Sequence, residues 1–266
     1  MFPFRNILFP DDSLAVQSAL KYATAFAQHG QGQVVLFSVQ DAKTELASKI
    51  AQAAIDHDID LITVALRDRN LLTRAFGSSL AEDIIAESPC AVLAIRPPQR
   101  DFVNGQSEIQ LERLLLATNF RPSSVAATQL ATQMANQLGA ELHAVYVIGD
   151  YFEQISVMFP EGGLAALTRL RSYVQERMAN LSRGGGETHI VEGRPYQEIV
   201  KLADTLQADL IVIGTAVHGS LFGSSHVLGS EIERVIRNAP CPVLCVPAAR
   251  VVTPLPALVT QIVPQT

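Results

Sequence analysis

The sequence predicts an α/β fold made of two tandem open parallel-sheet domains, the first of them shortened. Three observations predict it. Short apolar runs alternate with helix-period stretches along the chain, the pattern of strand–helix–strand crossovers and hence of a parallel sheet covered on both faces. The chain also repeats itself: 23-ATAFAQHGQGQVVLFSV-39 lines up with 131-ATQMANQLGAELHAVYV-147 at an offset of 108, and 89-PCAVLAI-95 with 240-PCPVLCV-246 at an offset of 151. The two offsets differ by 43 residues, so the first copy lacks about one helix and one strand between its second strand and its last.

In the first copy the pattern gives strand 6–9, helix 13–28, strand 33–39, helix 43–57, strand 61–65, helix 79–87 and strand 91–95. In the second it gives strand 113–117, helix 124–138 and strand 141–148. A helix over 164–182 follows from the apolar spacing of Leu164, Leu167, Leu170 and Val174, and Gly184-Gly185-Gly186 turns the chain into strand 187–191. Pro195 suits the first position of a helix reaching about Leu206, after the tight turn of 192-EGRP-195. Strand 209–214, helix 230–238 and strand 242–247 complete the copy. The domains are expected at 1–98 and 111–250, joined by a polar, proline-bearing linker at 99–110 and followed by an uncharged tail at 251–266.

Composition narrows the function. With 26 acidic against 20 basic residues and no Lys/Arg cluster, a nucleic-acid surface is excluded as an expectation, because a polyanion needs clustered cations. No run approaches the ~20 apolar residues of a membrane span, and the N-terminus lacks the basic-then-apolar order of a signal peptide. Three cysteines, Cys90, Cys241 and Cys245, cannot all pair and lie in or beside apolar runs, so a reduced, cytoplasmic compartment is expected. Cys241 and Cys245 point to one face if on a strand, a position for buried small residues.

Open parallel sheets take ligands beyond the carboxyl ends of their strands. Asn119 follows strand 113–117, as Asp11 and Asp12 follow strand 6–9; such a side chain can meet a ribose or an adenine edge, and can equally cap the next turn. The Gly214 to Ser230 loop offers glycines that let a backbone approach a phosphate and a serine opening a helix whose free N–H groups favour an anion. The same residues also read as a plain connection with a capping serine. Tyr146-Val147-Ile148 can face a base or fill core. His143, His189, His218 and His226 show no close metal-ligand spacing, and no nucleophile elbow is present, so neither a metal site nor hydrolytic catalysis is expected.

The series 114-LLLATNFRPSS-124, 192-EGRPYQEIVKLADTLQADLIVIGT-215 and 229-GSEIERVIRNAPCPVLCV-246, in that order, resembles the universal stress protein family in its tandem, Rossmann-like form. Nucleotide-binding members carry Gly-x2-Gly-x9-Gly-Ser/Thr at the phosphates and an aspartate after the first strand. Gly219 and Gly229-Ser230 match the later part; Gly214 comes two residues early, and Asn119 replaces the aspartate. The resemblance implies that ATP or another adenine nucleotide is held by Asn119, Val147, Ile213, Gly214, Gly219, Gly229, Ser230 and the backbone of Glu231, without a required metal. In the first copy a gapless count puts Ala65, Asp68, Ser78 and Ser79 at those glycine and serine positions, so that half is expected not to bind ATP. The resemblance further implies a stress-response role by binding rather than turnover. It also implies pairing of the two copies through their last strands, and homodimers. The alternative reading is a nucleotide-independent scaffold acting through protein contacts.

Overall fold

A computed structural model describes residues 1–11, 16–38, 45–66, 80–97, 99–149, 160–215 and 229–248. The first half runs β1 (Asn6–Asp11), α1 (Val16–Gly30), β2 (Gln33–Ser38), α2 (Leu46–Asp56), β3 (Leu61–Ala65), α3 (Leu80–Glu87) and β4 (Ala91–Ile95). The second runs β5 (Arg113–Ala117), α4 (Pro122–Leu138), β6 (Glu141–Gly149), α5 (Pro160–Arg183), β7 (Glu187–Gly193), α6 (Pro195–Thr205), β8 (Leu210–Thr215), α7 (Ser230–Asn238) and β9 (Val243–Pro247). The tail and the connections that hold Asp12, Asp68, Ser78, Ser79, His218, Gly219 and His226 lie outside the described residues.

The nine strands among the described residues join one sheet in the order β2-β1-β3-β4-β9-β8-β5-β6-β7. Within each half the pairing is parallel; between the halves β4 meets β9 antiparallel, with Leu93 opposite Leu244. Those two leucines are 151 residues apart, the offset of the sequence repeat, so they sit on the pseudo-twofold axis of the duplication. β1, β2, β3 and β4 answer to β5, β6, β8 and β9, leaving β7 without a counterpart among the described residues.

Burial explains why the elements take these places. One core, on the face bearing α1, α4 and α5, contains Phe26, Met134 and Val174; the other, on the face bearing α2, α3, α6 and α7, contains Ile50, Ile85, Ile199 and Val235. α2 thus belongs with α6, and the helix missing from the first half is the counterpart of α5. The consequence shows at the outer strands. Leu36 on β2 is 65% exposed, whereas Ala144, at the matching place on β6, is 1% exposed.

A repeated carboxylate clamp fixes where each half begins. Asp60 Oδ2 accepts the backbone N–H groups of Arg5 and Asn6 at 3.1 and 3.0 Å, and Asp209 Oδ2 accepts those of Glu112 and Arg113 at 2.9 and 2.8 Å. Each carboxylate closes donors that the start of a parallel strand leaves open.

Between the halves the chain is polar in sequence but anchored in structure. Phe102 is buried edge-on against Tyr22 and Phe26, Asp101 accepts the Tyr22 hydroxyl at 2.8 Å, and Arg100 reaches Asp204 at 2.7 Å. The backbone N–H of Arg100 also donates to Pro240 O at 2.8 Å. At the seam Arg237 of α7 pairs with Glu82 of α3 at 2.5 Å, and Glu82 is only 2% exposed.

Candidate functional site

The strand order reverses at β5: the chain passes outward through β6 and β7, then returns to β8 on the other side. The crevice at the carboxyl ends of β5 and β8 is therefore the switch point of the second half, where helix N-termini and strand ends converge. Val147 on β6 and Ile213 on β8 flank β5, and both pack toward the same core, on the α6 and α7 face. Their side chains thus lie to either side of the exit toward Asn119.

Asn119 is exposed and already engaged. Its Oδ1 accepts the Ser124 hydroxyl at 2.7 Å and the Arg121 backbone N–H at 3.1 Å, and its own N–H donates to Ser124 Oγ at 3.2 Å. This is the capping alternative realised: the amide holds the turn into α4. Phe120, next along, takes a left-handed φ of 57° and stacks on Tyr146 with ring centroids 5.4 Å apart. Tyr173 meets Phe120 edge-on, and the Arg177 guanidinium lies over both rings. This aromatic wall beside the crevice drew no signal from the sequence beyond Tyr146, because its members come from a turn, a strand and a helix.

The two described glycines of the candidate cradle differ in kind. A Cβ at Gly214 would overlap the carbonyl oxygen of Ser123, so the fold itself requires a glycine where α4 starts against β8. Gly229 has an extended backbone with φ −62°, and a Cβ there would find only Ile232 Cδ1 at 3.9 Å. Among the described residues nothing demands its small size. Gly229 is the N-cap of α7; its carbonyl accepts the N–H groups of Ile232 and Glu233, and no side chain caps the helix. The exposed Ser230 opens the helix, so the positive end of its dipole faces the crevice rim.

Glu231 turns away from that role as a side chain. Its carboxylate accepts the Tyr196 backbone N–H at 3.1 Å and pairs with Arg234 at 3.0 Å, tying the start of α6 to the start of α7. Gly219 lies outside the described residues, as do Asp68, Ser78 and Ser79 of the first half. Sheet register pairs Ala65 with Ile95 and Gly214 with Val246, which are 151 residues apart as partners but 149 as strand ends. The connection after Gly214 is therefore two residues longer than the one after Ala65.

Cys241 and Cys245 are buried in the α6/α7-side core, and burial pushes both thiols up to about 12. They stay protonated and unreactive at neutral pH. Among the described residues no helix is long and apolar enough to cross a membrane.

A doubly wound, mostly parallel sheet with a helix N-terminus at its switch point defines a Rossmann-like α/β protein. The Universal stress protein family profile matches residues 42–96 and 110–247, and the chain belongs to that family. A universal stress protein of Methanocaldococcus jannaschii is 33% identical over 145 residues, covering 51% of this chain and 81% of its own length. One from Thermus aquaticus is 33% identical over 136 residues, covering 50% and 96%. A structure from Pseudomonas aeruginosa, described as functionally unknown, has a TM-score of 0.68 at 19% identity over 92% of this chain and 93% of that one. A universal stress protein structure from Archaeoglobus fulgidus has a TM-score of 0.61 at 20% identity over 92% and 97%. These structures share the fold.

Proposed function

We propose that the second half binds an adenine nucleotide, ATP or a close relative, and that the protein serves in the cytoplasmic stress response by binding and association rather than by turnover. The observation that carries this reading is Gly229: a glycine that no described neighbour requires, at an α7 N-terminus without a side-chain cap, beside the switch-point crevice. Backbone N–H groups of Ser230 and Glu231 would meet phosphate, with Gly219 added by the sequence resemblance. Val147 and Ile213 would flank the base. Asn119 would meet the ribose only by giving up its bonds to Ser124 and Arg121, which weakens its part.

That engagement of Asn119 favours a second reading, a scaffold that works without nucleotide. Thermal unfolding with ATP, ADP and AMP separates the two, since a ligand held only by the native state raises the melting temperature. Nucleotide binding predicts a rise of several degrees at millimolar ATP, lost in Gly229→Val, whose own melting temperature without ligand stays near that of the wild type. No shift with any of the three nucleotides rejects it in favour of the scaffold.

A further inference from the structure

β6 and β7 lie in parallel register with His143 opposite Glu187 and Val145 opposite His189. Side chains two apart on a strand share a face, so His143, Glu187 and His189 rise from the same side of the sheet near the amino ends of the two strands. Their donor atoms converge: each offers one ligand atom, all within 4.8 Å of one another. His143 Nδ1 stands 3.3 Å from His189 Nε2 and 3.5 Å from Glu187 Oε2, while His189 Nε2 is 4.0 Å from Glu187 Oε1. Two donors on a tetrahedral zinc ion with bonds of about 2.0–2.1 Å lie about 3.3 Å apart, the imidazole separation found here. Glu187, well exposed, needs only a small side-chain movement to close the third edge.

We propose that His143, His189 and Glu187 form a binding site for a divalent transition-metal ion, zinc above all, with one position left open to solvent. Two imidazoles and a carboxylate are borderline donors that favour zinc, cobalt, nickel or copper over magnesium and calcium. The remaining nitrogen of His143 adds an independent sign. This residue is 6% exposed, and its Nε2 has no hydrogen-bond partner among the described residues. With metal on Nδ1 the proton must sit on Nε2, and Glu141 Oε2 is 3.8 Å away, placed to move in as the carboxylate that orients a ligating histidine. In the present geometry one imidazole donates to the other; on metal binding that proton passes to the outer nitrogen of its own ring, so no net proton is lost.

The site is distinct from the nucleotide crevice. His143 is four residues before Val147 on the same strand, roughly 13 Å at ~3.3 Å per residue, toward the opposite end of the sheet. It does not depend on the nucleotide reading.

The test is titration of chelator-treated protein with zinc alone by calorimetry, and with cobalt by visible absorption. One ion per chain should bind with a micromolar or tighter dissociation constant, and cobalt should show intense low-coordinate d–d bands without a thiolate charge-transfer band. His189→Gln and Glu187→Gln, at the sheet edge, should each weaken binding at least tenfold while the circular dichroism stays unchanged; His57→Gln, on an exposed turn of the first half, should leave it intact. Absence of stoichiometric uptake, a thiolate band, or binding indifferent to both edge variants would overturn the proposal.

Discussion

β2 and β6 are the same strand twice, and they live in different surroundings. β6 is paired on its outer side by β7 and roofed by α5, and the small Ala144 fits beneath that roof; β2 has neither neighbour, and Leu36 stands in solvent. The first half, shorter at its rim, keeps its four shared strands in register, so the sheet tolerates loss at its edge. The difference teaches that residue size at matched positions records which layers cover a strand.

The sharpest way to break this comparison is to put the same charge at both places. Ala144→Asp should cost at least about 4 kcal/mol, read as a collapse of the urea midpoint, because a carboxylate would be buried without a partner. Leu36→Asp should change stability by less than about 0.5 kcal/mol. A large loss at Leu36 would mean that this edge is covered in solution, and sedimentation of the variant would show it as a change of assembly.

Next in size is the seam. Arg237→Ala removes the cation facing the buried Glu82 and should cost about 2–3 kcal/mol, a buried-pair loss reduced by the partial exposure of Arg237. Loss of the two halves as a single cooperative transition, seen as two calorimetric peaks, is the outcome that would locate the coupling in this pair. Gly214→Ala should follow at about 1–3 kcal/mol, since the new Cβ must displace the start of α4, whereas Gly229→Ala should be close to neutral. Equal costs at the two glycines would erase the distinction between a structural and a functional glycine.

The smallest effect contrasts the matched acids of α3 and α7. Glu233 is the counterpart of Glu82, but Ala86 stands where its cross-seam arginine would be. Burial first, and the Glu82 charge second, raise the Glu233 pKa above the ordinary carboxylate value. The folded state therefore holds the proton more tightly than the unfolded chain, and stability is lost as pH rises from the ordinary value through the raised one. Glu233→Gln should melt slightly above the wild type at pH 7, with the gap closing as pH falls; a gap that is constant with pH would assign the effect to something other than this carboxyl.

Most of the layout was readable in the sequence because hydrophobic period and repeat offsets report directly on strands, helices and the absent pair of elements. Helix starts were less so. α5 begins at Pro160 rather than at Leu164 and α4 at Pro122 rather than at Ser124, since proline at the first helical position sets φ without spoiling an internal bond, while apolar spacing marks only the buried stripe. The anchored connector escaped because its pins, Arg100, Asp101 and Phe102, find their partners in distant helices. At the candidate crevice the sequence left Asn119 open between a ligand contact and a cap, because one polar residue after a strand serves either, and only its bonds to Ser124 and Arg121 show the cap. The His143, Glu187 and His189 trio was hidden because 46 residues separate the two histidines along the chain, and only strand register brings them side by side.

The antiparallel meeting of β4 with β9 has a directional outcome. Along either margin of the sheet, a row of strand endings gives way at the seam to a row of strand beginnings, so the crevice beside β5 and β8 is bordered on the far side by Asn6, Leu61 and Ala91 rather than by its own twin. Occupants of the two copies could never be next-door neighbours. What joins the two ends is the seam itself, the three residue pairs of β4 and β9 together with Arg237 and Glu82.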